Sequence, residues 1–206
     1  MTTIVEVAVV DLKEGIDKEN AVLEKLREGA AKGGLKRQSY GLSVEHPQRL
    51  YWTLYFENGF EQKDFKWPEA EYGNFVDDIK SVSAPDSTYT RRYFTFPSFP
   101  HAVTAAPVTE VAIITLKADA DLAAFKAVQE GALGKLTQAP TVHGATYSIT
   151  TDAGANPVVL LLVGWDSVEA HQSLVAIPEN KAALGSLYGF IEKADILHVS
   201  YSNKTY

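Results

Sequence analysis

One event occurs twice in this chain and limits what it can fold into. In PVVLLLVGWDSVEAH (157–171) an apolar run from Val158 to Gly164, closed by Trp165, gives way to Asp166-Ser167 and Glu169, residues that start a helix. In RLYWTLYFENGFEQKDF the run Leu50 to Phe56 is followed in the same way by Glu57-Asn58. Each is a strand feeding a helix, and the repetition divides the 206 residues into two halves, each large enough to bury a core of its own.

The surrounding elements repeat as well. Ile4 to Leu12 is a β-branched strand with Glu6 set into it, and Asp17 is the expected cap of a helix carrying Val22, Leu23, Leu26 and Ala30 at helical spacing. Gly33-Gly34 stops that helix, and residues 35–46 alternate as a second strand that turns at His46-Pro47 into the third. A helical segment from Phe60 is interrupted at Trp67-Pro68 and resumes through Tyr72, Phe75, Val76 and Ile79. Thr88 to Phe96 is the fourth strand, giving β-α-β-β-α-β, the ferredoxin-like split unit. After 98–107, a proline-rich linker without period, the order recurs: Val108–Leu116, a helix on Leu122, Phe125, Val128, Leu133 and Leu136, then strands at Thr141–Thr150, Val158–Gly164 and Asp195–Tyr201. Glu110 falls on Glu6, Tyr147 on Tyr40, Trp165 on Phe56, Pro178 on Pro68 and Tyr201 on Phe96, with a drift that loops absorb. The expected domains are 1–97 and 108–206.

The helices of a split βαβ unit cover one sheet face and leave the other bare, and two such faces in one chain can bury each other. The expected class is therefore α+β: two ferredoxin-like βαββαβ halves packed sheet to sheet as a pseudo-dimeric α/β barrel. Both halves resemble the dimeric α/β-barrel superfamily, which includes the antibiotic-biosynthesis monooxygenase and stress-responsive families. The resemblance rests on the order of elements and on GWDSVEAHQSLVAIPE, similar to the family's strand, Trp, turn, Glu-Ala-His helix and Pro. It implies a cofactor-independent monooxygenase, a polyketide cyclase, a haem-degrading enzyme or a stress protein, and the fold does not choose among them.

Polar side chains set into buried strands mark candidate chemistry. Glu6 and Glu110 stand at matching places, and a buried carboxylate has the raised pKa of a general base. His143 and Tyr147 lie four apart in one strand, hence on one face. His198 points opposite to Leu197 and Val199, together with Ile196 and Ser200. His171 lies in the helix after Trp165, where the family often carries a histidine. Glu110, His143 and His198 are the catalytic candidates; Tyr147, Trp165, His171, Glu6 and Tyr40 are candidates for holding substrate. Each also fits a structural role, as core filler or surface pair. The first half departs from the second: Lys36 stands for His143, Gln62 for His171, Phe56 for Trp165 and Tyr93 for His198, and it adds Tyr51, Trp52, Trp67, Tyr72 and Tyr89. Of the Arg91-Arg92 pair, one faces each side of the strand.

Composition narrows the function classes. A formal charge of −7 and a pI near 5.2 argue against nucleic acid, whose phosphates need a basic face. The absence of cysteine removes thiolate chemistry and cysteine metal sites. No apolar run reaches the roughly 20 residues that span a bilayer, and the first residues, MTTIVEVAVV, do not read as a secretory signal, so the expected address is cytoplasmic. No metal-ligand spacing or phosphate-cradling loop occurs, and a cofactor-free site is expected. Two readings stay open. One is an enzyme of secondary metabolism that encloses an aromatic or polyketide-like substrate and performs acid/base cyclisation or monooxygenation. The other is a non-catalytic ligand-binding or stress-response protein. A buried polar cluster beside a cavity favours the first, tight apolar filling the second. The expected partner is a small hydrophobic or aromatic molecule, with pairing of whole chains left open.

Overall fold

The computed structural model describes residues 2–150 and 155–206. It forms two compact units: residues 1–98 with 199–206, and residues 99–198.

In the first unit β1 (Thr3–Asp11) leads to α1 (Ala21–Lys32). Asn20 caps α1 by accepting from the Val22 N–H, while the expected cap, Asp17, instead accepts from the Glu19 N–H in the preceding turn. The strands β2 (Arg37–Leu42) and β3 (Arg49–Phe56) follow. The helical stretch then breaks into a 3-10 turn at Gln62–Asp64, α2 (Glu69–Tyr72) and α3 (Phe75–Val82), before β4 (Thr90–Phe96). A second break falls at Gly73, whose φ of 69° lies in the left-handed region that favours glycine. The core of this unit lies between the sheet and these helices, with Ala8, Leu26, Leu54, Trp52, Phe56 and Ile79 at its centre.

The second unit contains α4 (Ala102–Ala105), β5 (Val108–Leu116), α5 (Leu122–Leu136), β6 (Val142–Thr150) and β7 (Val158–Trp165). It continues through α6 (Val168–Val175) and α7 (Pro178–Gly185), with proline at the first position of α7, to β8 (Ile191–Val199). Its sheet order is β6-β7-β5-β8. The first sheet has the matching order β4-β1-β3-β2 and one strand more, β9 (Ser202–Thr205), which pairs antiparallel with β2. The chain end thus returns to the first unit, and Tyr201, expected within the last strand, lies between β8 and β9. The region 98–107, expected to be a proline-rich linker without period, holds α4. This short helix packs on β7 and is tied to β5, from which Thr109 Oγ1 donates to the Val103 carbonyl at 2.8 Å.

The strand registers of the two units match. Ile4 pairs with Phe56 as Val108 pairs with Trp165; Glu6 with Leu54 as Glu110 with Val163; Tyr40 with Trp52 as Tyr147 with Leu161. The duplication extends to individual cross-strand pairs.

Candidate functional site

Residues of β5 and β7 that alternate onto the helix-covered face, among them Glu110, Ala112, Leu161 and Val163, line a cavity of about 260 Å³. Its opposite wall comes from α5 (Gln129, Leu133, Leu136) and from α7 and the turn after it (Ala183, Leu184, Leu187). Tyr188 and Ile196, 71% and 52% exposed, also line it and give it an apolar rim. The helices around the cavity bury little: α6 and α7 have no fully buried residue, and α5 has only Phe125 and Gln129.

Four of the sequence candidates meet at the Trp165 end of this cavity. Glu110 is 7% exposed, and the Trp165 indole Nε1–H donates to its Oε2 at 3.1 Å. Ser167 caps α6 by accepting from the Ala170 N–H, which fixes the helix start and brings His171 over the indole. The imidazole stacks on that ring at 4.7 Å between centroids and 26° between planes. His171 Nε2 lies 3.5 Å from Glu110 Oε2, while its Nδ1 is 2.7 Å from His198 Nε2. With the shared proton on His198 Nε2, a neutral His171 carries its own on Nε2, facing Glu110. Burial pushes the Glu110 carboxyl above the ordinary value of 4.5; the Trp165 N–H and the nearby His198 pull it back in part.

The other four lie elsewhere, Glu6 in a cavity of the first unit. His143 sits at a β-bulge between Val142 and Gly144, so Val142 and not His143 shares the face of Tyr147; its Nε2 is 2.6 Å from Asp166 Oδ1 on a half-exposed surface. Tyr147 packs beside the apolar core of this unit and donates its hydroxyl to Glu130. That bond adds to burial, the larger cause, in pushing the phenol up to about 12. Tyr40, in the first unit, is core beneath the Arg27 guanidinium, 3.8 Å from its ring centroid.

Gln129 is a site residue that the sequence did not single out. Its side chain is 2% exposed on the cavity wall, and its Oε1 has no hydrogen-bond partner among the described residues. An unpaired buried amide oxygen costs on the order of 1–3 kcal/mol, which a ligand hydroxyl could recover.

Glu6 lines a second cavity, of about 380 Å³, in the first unit. Arg91 Nη1 is 3.8 Å from its Oε1. Burial raises this carboxyl too, against the opposing charge of Arg91 and a hydrogen bond from Tyr93. No group of three or more His, Asp or Glu side chains among the described residues is arranged to hold a metal ion, and no described helix is long and apolar enough to cross a membrane.

No protein-family model matches the chain, and no curated protein matches it in sequence. Solved structures do match over its whole length. A candidate monooxygenase from Lactobacillus acidophilus NCFM is 14% identical, with a TM-score of 0.64 over 100% of this chain and 97% of that one. An anthrone oxidase-like protein is 10% identical, with a TM-score of 0.64 over 99% and 92%. A candidate chlorite dismutase is 12% identical, with a TM-score of 0.59 over 98% and 96%. These names do not describe one chemistry, and the identities are low, so the likeness is one of fold. The chain has a ferredoxin-like fold duplicated in tandem, and it shares that fold over its whole length with these structures.

Proposed function

We propose that the second unit is a cofactor-independent acid–base enzyme acting on an aromatic or polyketide-like small molecule. One observation carries this reading: the buried Glu110 carboxylate, bonded to Trp165 and facing His171, stands at the end of a mostly apolar cavity. A planar substrate lies between the sheet and α5, with a hydroxyl donating to Gln129 Oε1. Glu110 takes a proton from a carbon acidified by a neighbouring carbonyl or phenolic ring, and the electron pair stays on the substrate as an enolate. The buried carboxylate is a stronger base than one in water, which favours this transfer.

The His171–His198 pair holds the second mobile proton. In an aldol-type cyclisation the enolate carbon attacks a carbonyl of the same molecule and the alkoxide takes that proton from His171. The proton on Glu110 then passes back to His171, so that both groups return to their starting state. In a monooxygenation the co-reactant is dioxygen: a methylene becomes a carbonyl, and its two hydrogens leave with the second oxygen atom as water. The names of the anthrone oxidase-like protein and the candidate monooxygenase support the second course.

Oxygen uptake with an anthrone as probe tests the reading. The wild-type protein should consume oxygen above the buffer rate, and Glu110→Gln should lower the protein-dependent rate by about 10²–10⁴-fold, the usual worth of a general base. Equal uptake by the two proteins would overturn it. Saturable binding of the probe with no turnover would favour a ligand-binding protein instead.

A further inference from the structure

The first unit repeats the cavity but not its proton relay. Glu6 holds the register position of Glu110, across from Leu54 as Glu110 is across from Val163. Where the second unit has imidazoles, this one has the Tyr93 phenol and the Arg91 guanidinium, and where it has Trp165 this one has Phe56. A guanidinium stays charged throughout the physiological range, and a phenol gives up its proton only near pH 10. Glu6 therefore has neighbours that hold a hydrogen bond but cannot pass a proton on.

The walls differ in kind as well. Trp67 meets Phe75 edge to face at 5.3 Å, and Phe75 meets Tyr89 in the same way at 5.6 Å. Trp52 and Phe56 complete an aromatic lining around about 380 Å³. Ring walls of this sort favour a flat π-system, by offset or edge-to-face contact worth about 0.5–1.5 kcal/mol per ring pair beyond area burial. The polar groups on the cavity are Glu6, Arg91, Tyr89, Tyr93, Gln62, Asn74 and Glu69; two carboxylates against one guanidinium do not suit an anion.

We propose that this cavity is a second binding site, which takes a neutral planar hydroxyaromatic molecule with its hydroxyl on Glu6 and holds it without turning it over. It is distinct from the site at Glu110 and does not depend on that site being catalytic. The hydroxyl donates to the carboxylate, and the rings of Trp52, Trp67 and Phe75 hold the plane.

The protein's three tryptophans separate the two cavities: Trp52 and Trp67 line the first, Trp165 the second. In protein labelled with 5-fluorotryptophan, with each ¹⁹F resonance assigned by Trp→Phe substitution, 1-naphthol should shift the Trp52 and Trp67 signals saturably. Glu6→Gln should weaken that binding about tenfold while the response of Trp165 keeps its own midpoint. On the unaltered protein, 1-methoxynaphthalene, which has no hydroxyl to donate, should bind about tenfold more weakly at the Trp52 and Trp67 signals. Stationary Trp52 and Trp67 signals would overturn the proposal whatever Trp165 does. Equal affinity for the hydroxyl and methoxy compounds would overturn it too, because the cavity would then be an apolar one without a polar anchor.

Discussion

At the scale of single residues, the account rests on what surrounds one carboxylate. Glu110 must be ionised to act as a base, so the rate should rise with pH along a limb set by its pKa, and burial places that limb above 4.5. The Trp165 N–H acts in the other direction, since it stabilises the carboxylate. Trp165→Phe removes that donor and keeps a ring beneath His171, so the limb should move to higher pH; a pH–rate profile of the variant checks the sign, and a limb that stays or moves down contradicts it. The variant should also lose about 1–3 kcal/mol of stability, because a buried acceptor loses its partner. Glu110, Trp165 and His198 were legible in the sequence because each interrupts or ends an apolar run, and His171 because of its place in the helix that follows Trp165. His143 was misread because period-two alternation fails at the bulge between Val142 and Gly144, whose one signal in VHGATY is the glycine set inside the strand. Gln129 escaped notice because an amide in an amphipathic helix looks like a surface residue until the cavity beside it is known.

At the scale of elements, strands and helices followed from hydrophobic period, and the segments without period were the ones missed. The strand SNKT (202–205) is polar and short, and it exists only because the edge of β2 is there to pair with. HAVTAAP reads as a linker for the same reason, yet α4 is held on β7 by shape. A Cβ added at Gly164 would come within 2.8 Å of Ala106 Cβ and 3.0 Å of the Val103 carbonyl oxygen. Gly164→Val should therefore displace α4 at a cost of about 1–3 kcal/mol. Hydrogen exchange would report it as faster exchange over residues 102–106 together with a lower unfolding midpoint. Wild-type protection of those amides in the variant would contradict the packing described here.

At the scale of the whole molecule, duplication was legible from the sequence down to the pairing of Glu110 with Glu6 and of Trp165 with Phe56, because both halves keep the register that aligns them. What the halves do differently was only partly legible. The exchange of His198 for Tyr93 is visible in sequence, but the cavity beside each carboxylate arises from helices that leave the sheet partly uncovered. One unit thus has a carboxylate joined to two imidazoles, and the other a carboxylate among phenols and a guanidinium. The central claim is that the first of these moves a proton from carbon. It is tested most directly by following, by NMR in D₂O without oxygen, the loss of methylene protons from an anthrone. The account predicts saturable, protein-dependent exchange that falls by about two orders of magnitude or more in Glu110→Gln. Exchange no faster than in buffer, with the anthrone shown to be bound, would contradict it.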